Sequence, residues 1–360
     1  MKAKPESAVH PASRRFCHAF RIALAWFAPA WIAPAWITLA FLALSTIPAR
    51  AQSCLTSSEL DDAARGSITS AAQRFFDLAA KGDVATVRQN AIPSLASDFS
   101  AVESRIKDRQ ADLAASRPAA PSIFLLETEG KDTVPHAEFL CGVFGKNGQT
   151  QGSAAFSFDN LAPGKYAVVL MAASSPKTRT NFAAILQQAG TDWKLAGLYI
   201  APAETGGHDS DWFLTRARDY KSKGQLHNAW LFFLQARNLI SPLSFMSTLA
   251  TDRLYDELQS AQPADIPVSG KPADLAAGTT TYRLTALFPA AVGDDLDLIV
   301  KYQAADVSNT NQAYQSNVTV MKALLTRYPE MRDAFAGIVA RAVDPTGRDY
   351  GTLLAMKDVK

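Results

Sequence analysis

Thr180–Pro202 reads TNFAAILQQAGTDWKLAGLYIAP. Two apolar runs, Thr180–Gln188 and Trp193–Ile200, flank the polar step Ala189-Gly190-Thr191-Asp192. A glycine-bearing turn between two such runs is the signature of a β-hairpin. The same grammar extends upstream through AEFLCGVFG, SAAFSFDN and GKYAVVLMAA, with turn signals at Lys146-Asn147-Gly148 and Pro163-Gly164. These residues predict an antiparallel meander, with Pro163-Gly164 as a turn leading into a strand.

The residues ahead of the meander have a different period. Ile68, Ala71, Ala72, Phe75, Phe76, Leu78 and Ala79 recur at helical spacing, which predicts a helix over 56–81. Thr56, Ser57 or Ser58 can cap it, and Glu59, Asp61 and Asp62 suit its first turn. Gly82 suits a left-handed terminus. A second helical stretch runs from about Val84 to Ser116, broken at Pro93, and ASRPAAPS ends it. Helices followed by a run of antiparallel strands place the chain in the α+β class.

On that order of elements, and on the closing strand Asp192–Ile200, residues 56–202 resemble the nuclear-transport-factor-two-like cone fold of small exported bacterial proteins. The resemblance implies a curved antiparallel sheet wrapped on helices, with a cavity behind Trp193 and Tyr199 and Glu138 as a polar group within it. FSFDNLAPGKYAVVL is also similar to a hairpin of carboxypeptidase-regulatory and adhesin-type sandwiches; the two leading helices favour the cone.

AETGGHDSD reads as a linker ending in a helix start. Beyond it, Ala217, Tyr220, Gly224, Ala229, Phe233 and Ala236 resemble a single tetratricopeptide unit, with Phe213 where tryptophan is usual. A lone unit does not bury its own face. This hairpin is therefore expected to dock on its neighbours, followed by a helix near Thr248–Ala261. Trp212, Tyr220, Trp230 and Phe233 form its aromatic face, a surface either for domain docking or for a partner. QPADIPVSGKPADLAAG reads as a second linker. After it come strands TTYRLTALFP and DLDLIVKYQAAD around Gly293-Asp294-Asp295, a helix from about Asn311 to Tyr328, and closing strands FAGIVARAVDP and YGTLLAMKDV. MRDAFAGIVARAV is compatible with helix as well. The organisation is 1–51 signal peptide, 52–203 cone-like domain, 204–262 helical hairpin plus helix, and 263–360 C-terminal α+β unit.

The amino-terminal assignment rests on a basic stretch, Lys2 to Arg21, then a long charge-free run ending at Ala49-Arg50-Ala51, a small-x-small cleavage pattern. Cleavage would start the mature chain at Gln52. Retention as a membrane anchor and lipidation of Cys54 are the alternatives. Residues 1–51 hold six of the 36 basic residues and one of the 34 acidic ones, so a formal charge of +2 becomes −3 for residues 52–360. That leaves no basic stripe for nucleic acid. Cys54 and Cys141 remain after cleavage. In an oxidising compartment two such thiols are expected to pair, closing a loop whose entropy is worth about 3–4 kcal/mol; two separate buried thiols are the alternative.

The chemistry is sparse. Glu138 and His136 share one side of a strand by period two and form a weak acid/base pair, set against solvated residues at a strand edge. His208 with Asp209 and Asp211 invites a metal, but acids just ahead of a helix are normally caps. His227 reads as a solvated histidine. No catalytic residue, cofactor site or metal site is assigned. The reading is an exported, non-enzymatic binding or scaffolding protein of the bacterial envelope, with another envelope protein or a small ligand as partner. The alternative is a carrier of a small apolar ligand, or an enzyme, using the cone cavity.

Overall fold

In the computed structural model residues 52–360 are described, apart from 147, 242 and 269; the candidate signal segment lies outside them. The chain opens with a strand, β1 (Gln52–Thr56), and helix α1 runs Asp62–Lys81, later than expected. Asp61, not Thr56, Ser57 or Ser58, takes the cap, its carboxylate accepting from the Ala64 N–H at 2.7 Å. Glu59 is used just before the helix, accepting from both the N–H and the hydroxyl of Thr56. Gly82 closes α1 at φ +70°, where a Cβ would also lie 2.7 Å from the Gln110 amide. The expected second helix is three pieces, α2 (Val84–Gln89), α3 (Pro93–Ser97) and α4 (Ser100–Ala114). Pro93 starts α3, where its missing N–H costs nothing.

The meander is divided between two sheets. Strands β2 (Ser122–Thr128), β5 (Gly164–Ser174), β6 (Arg179–Ala189) and β7 (Asp192–Pro202) join β1 in the order β1-β2-β5-β6-β7, all antiparallel. β3 (Val134–Cys141) and β4 (Ala154–Leu161) leave that sheet as a hairpin, and β4 pairs on its other side with β8 (Met246–Thr248) to make a second, antiparallel sheet. The first sheet buries one face under α1 and α4, where Phe75, Phe76 and Ile106 meet Val169, Phe182 and Trp193. Its other face packs on the second sheet through Phe124, Phe139, Phe156 and Val168. The disulfide Cys54–Cys141 joins β1 to β3, the adjoining edges of the two sheets, with Cα atoms 5.1 Å apart.

Helices α5 (Ser210–Ser222) and α6 (Leu226–Ile240) form the helical hairpin, and α7 (Leu249–Ala261) follows, its Thr248 and Thr251 forming a reciprocal capping box. The C-terminal sheet has the order β9 (Ala273–Ala277), β10 (Thr280–Val292), β11 (Asp295–Gln303), β12 (Gly337–Val343) and β13 (Asp349–Ala355). β11 and β12 are parallel, joined through α8 (Thr310–Arg327) and a 3-10 turn at Pro329–Asp333; the other pairs are antiparallel. The ambiguous stretch around Gly337 is thus strand. Hairpin and C-terminal sheet share one core, in which Phe213, Phe232 and Phe233 meet Leu298, Tyr302, Leu324 and Ile338. Residues 262–278, read as a linker, are packed: Pro263, Ile266 and Pro267 are buried and Ala273–Ala277 form the edge strand β9. No helix among the described residues is long and apolar enough to cross a membrane.

Candidate binding cleft

The register of the first sheet shows why a cleft exists. Leu126, Tyr166 and Gln187 form one cross-strand row, and Phe124, Val168 and Ile185 the next. The large apolar side chains of these rows lie under the second sheet. Further along, the rows become Ser122-Leu170-Ala183 and Ala172-Asn181. Ser122, Ala172 and Ala183 are small, which leaves this part of the sheet face low around Leu170, and α6 ends above it at Leu239 and Ile240. The result is a cleft of about 570 Å³, floored by Ser122, Leu170, Ala172 and Asn181 and walled by the α6 terminus, Met246 and the start of α7. That volume lies within the usual range for small-molecule sites, about 300–1,000 Å³.

Polar groups frame the cleft and are mostly engaged. Asn181 Nδ2 donates to Leu239 O at 3.1 Å, tying the floor to the end of α6. At the mouth Arg179 Nη1 donates to Asp209 Oδ2 at 3.3 Å, while Asp209 Oδ1 caps α5 by accepting from the Trp212 N–H. Ser210 Oγ donates to Ala236 O. The interior is therefore chiefly apolar, with a charged pair at its rim.

The three residues expected to share a cavity do not converge. Trp193 is buried under α1, its indole N–H donating to Ser67 Oγ at 3.2 Å. Period two would put Tyr199 on that same face. A bulge between Leu195 and Gly197 reverses the parity, so Leu198 and Ile200 join the helix side and Tyr199 emerges on the other, against Phe245. Glu138 sits on the outer face of β3, its side chain 70% exposed.

His136 and Glu138 do meet. His136 Nε2 lies 3.2 Å from Glu138 Oε1 and Nδ1 lies 3.0 Å from Asp159 Oδ1, with Ser157 Oγ 3.5 Å from Nε2. The order Ser157–His136–Asp159 is that of a nucleophilic triad, yet the ring nitrogen facing the hydroxyl is already engaged. The bonds to Asp159 and then Glu138 push the His136 pKa above 6.5. A general base needs a free ring nitrogen, and Glu138 claims the one facing Ser157. The cluster is an exposed cross-strand polar network.

Trp230, Phe233 and Tyr220 are buried in the core shared with the C-terminal sheet, and Trp212 packs at its margin. Their face is a docking surface inside the molecule. Asp209 caps α5, and His208 stacks flat on Trp212 at 3.6 Å. His227 is not a solvated group: Nδ1 lies 2.7 Å from Glu330 Oε1 and Nε2 lies 2.9 Å from Asp265 Oδ1. Burial works to raise the Asp265 carboxyl, but its bonds to His227 and the Tyr328 hydroxyl outweigh it and leave the pKa lowered. This clamp joins α6 to the former linker and to the turn after α8; its members lie 38 and 103 residues from His227, beyond any local sequence signal. A scan of protein-family models, a search of curated proteins and a search of solved structures each find no match to this chain.

Proposed function

We propose that this chain is an exported binding protein that holds a small ligand with an apolar body in the cleft between the first sheet and the helical hairpin. The cleft carries the reading: it is of ligand size, chiefly apolar inside, and bordered by the Arg179–Asp209 pair that can orient a polar end. The disulfide supports an oxidising compartment, and the small-x-small pattern at Ala49–Ala51 supports signal cleavage. Intact mass with and without reductant tests both at once. It is expected to start at Gln52 and to gain two hydrogens on reduction.

Binding is tested by native mass spectrometry of gently extracted protein and by thermal shift with medium-chain alkyl carboxylates and alkylamines. An adduct or a stabilising shift is expected, and Ala172→Phe, which fills the floor, abolishes it without lowering the unligated midpoint. A bare chain together with no shift for either probe class overturns the reading.

A further inference from the structure

One edge of the C-terminal sheet is open. In the β12–β13 hairpin the Asp344 N–H donates to Arg348 O, and at the other end the Met356 N–H donates to Ala336 O, both at 2.9 Å. Hydrogen-bonded pairs alternate along an antiparallel ladder. The register between these two bonds therefore turns Tyr350, Thr352 and Leu354 toward β12, opposite Ala342, Ala340 and Ile338. Asp349, Gly351, Leu353 and Ala355 point their N–H and C=O groups outward, and among the described residues nothing bonds to them.

Two other sheet edges are blunted. On β9 the carbonyl of Asp274 accepts from Arg327 Nη1 at 3.1 Å. On β7 both backbone groups of Leu195 are taken by Asn90 and Ile92, and the strand ends in Pro202. Folded proteins normally guard an edge with a proline, a lysine or a bulge; β13 has none of these.

We infer that β13 is the contact strand of a two-fold dimer, pairing antiparallel with β13 of a second copy about Thr352. That register sets Gly351 opposite Leu353 of the second copy and Asp349 opposite its Ala355, so all the outward groups are used reciprocally. The side chains fit this occupant. Leu353 is 50% exposed and ends a cross-strand row, Phe288-Ile299-Val339-Leu353, on the sheet face away from α8. Gly351 is open: a Cβ there would meet only the Arg341 side chain, at 3.7 Å or more. Leu353 of the second copy fills that space and covers the Arg341 stem. A strand of seven residues spans only about 23 Å. One such pair buries less than the ~800 Å² per partner of a stable complex, so the dimer is reversible and concentration-dependent.

Sedimentation velocity of the purified protein over a concentration series tests this. Wild type shifts from monomer to dimer as concentration rises. Leu353→Pro removes an outward donor while leaving the ladder to β12 intact, and Leu353→Lys puts a charge at the contact. Both weaken dimerisation ~10-fold or more with an unchanged circular dichroism spectrum; if the proline variant misfolds, the lysine variant decides. A wild type that stays monomeric at every concentration overturns the inference, including one that instead captures an extended peptide along β13. Dimers that survive the lysine substitution, or assemblies that grow beyond two, overturn it as well.

Discussion

A polar side chain in this chain is identified by its partners more than by its type. His136 has the neighbours of a catalytic histidine, but carboxylates on both ring nitrogens favour its charged form. A histidine with a folded pKa above its unfolded 6.5 contributes stability that is full below pH 6.5 and fades as pH rises through the folded value. NMR titration should place His136 above 6.5, and Asp159→Asn or Glu138→Gln should each bring it down. An unshifted titration would remove the network. Asn317 is the buried counterpart. It accepts from the Tyr302 hydroxyl at 2.8 Å and donates to Thr352 Oγ1 at 2.9 Å and to Tyr350 O at 3.1 Å. Burial pushes the Tyr302 pKa well above 10, so the hydroxyl stays a donor. Asn317→Ala leaves buried groups unpaired and is expected to cost about 2–3 kcal/mol, read as a lower urea midpoint at constant m-value. Period two made the His136–Glu138 side legible in sequence; Asp159 was not, because it reaches His136 only across the β3–β4 register.

At the level of elements, turns were legible and partners were not. Gly82, Gly190 and Gly293 each hold a positive φ where the sequence places a helix end or a hairpin. SIFLLET, which forms β2, follows a proline-rich breaker and lacks alternation, because both its faces are covered: Ile123 under the helices, Phe124 and Leu126 under the second sheet. The bulge at Leu195–Gly197 also escapes sequence, and with it the face of Tyr199. Which hairpin leaves the first sheet is a long-range choice, and the disulfide pins it. Cys54→Ser or Cys141→Ser should destabilise by about 3–4 kcal/mol and, by freeing the β1–β3 seam, speed hydrogen exchange in Gln52–Thr56 most. Equal stability with and without reductant would show that the apolar contacts between the sheets suffice.

Across the whole molecule, division into units follows cores rather than linkers. Proline and glycine around residues 262–278 suggest a boundary, yet these residues are built into the structure from both sides. Asp265 bonds His227 of α6, the Tyr328 hydroxyl donates to the Asp265 carbonyl, and Leu275 is buried in the core containing Phe232 and Phe233. The sheet β9–β13 has α8 over it, and α6 closes the same core with its nearly all-round apolar surface. A fragment of residues 263–360 would expose the surfaces that Phe232, Phe233 and Leu239 now cover. Losing one buried phenylalanine costs about 3–5 kcal/mol, against a total stability of about 5–15 kcal/mol for a domain. The fragment is therefore expected to be unfolded or aggregated, and residues 204–360 to be the smallest C-terminal piece with dispersed NMR amide signals. In the intact chain Phe233→Ala should lower the stability of the C-terminal sheet by about 3–5 kcal/mol, measured by exchange at Val300 and Ile338, while amides of α1 exchange as in wild type. If the 263–360 fragment shows dispersed, cooperative unfolding by itself, α6 is an accessory to that sheet and not part of its core.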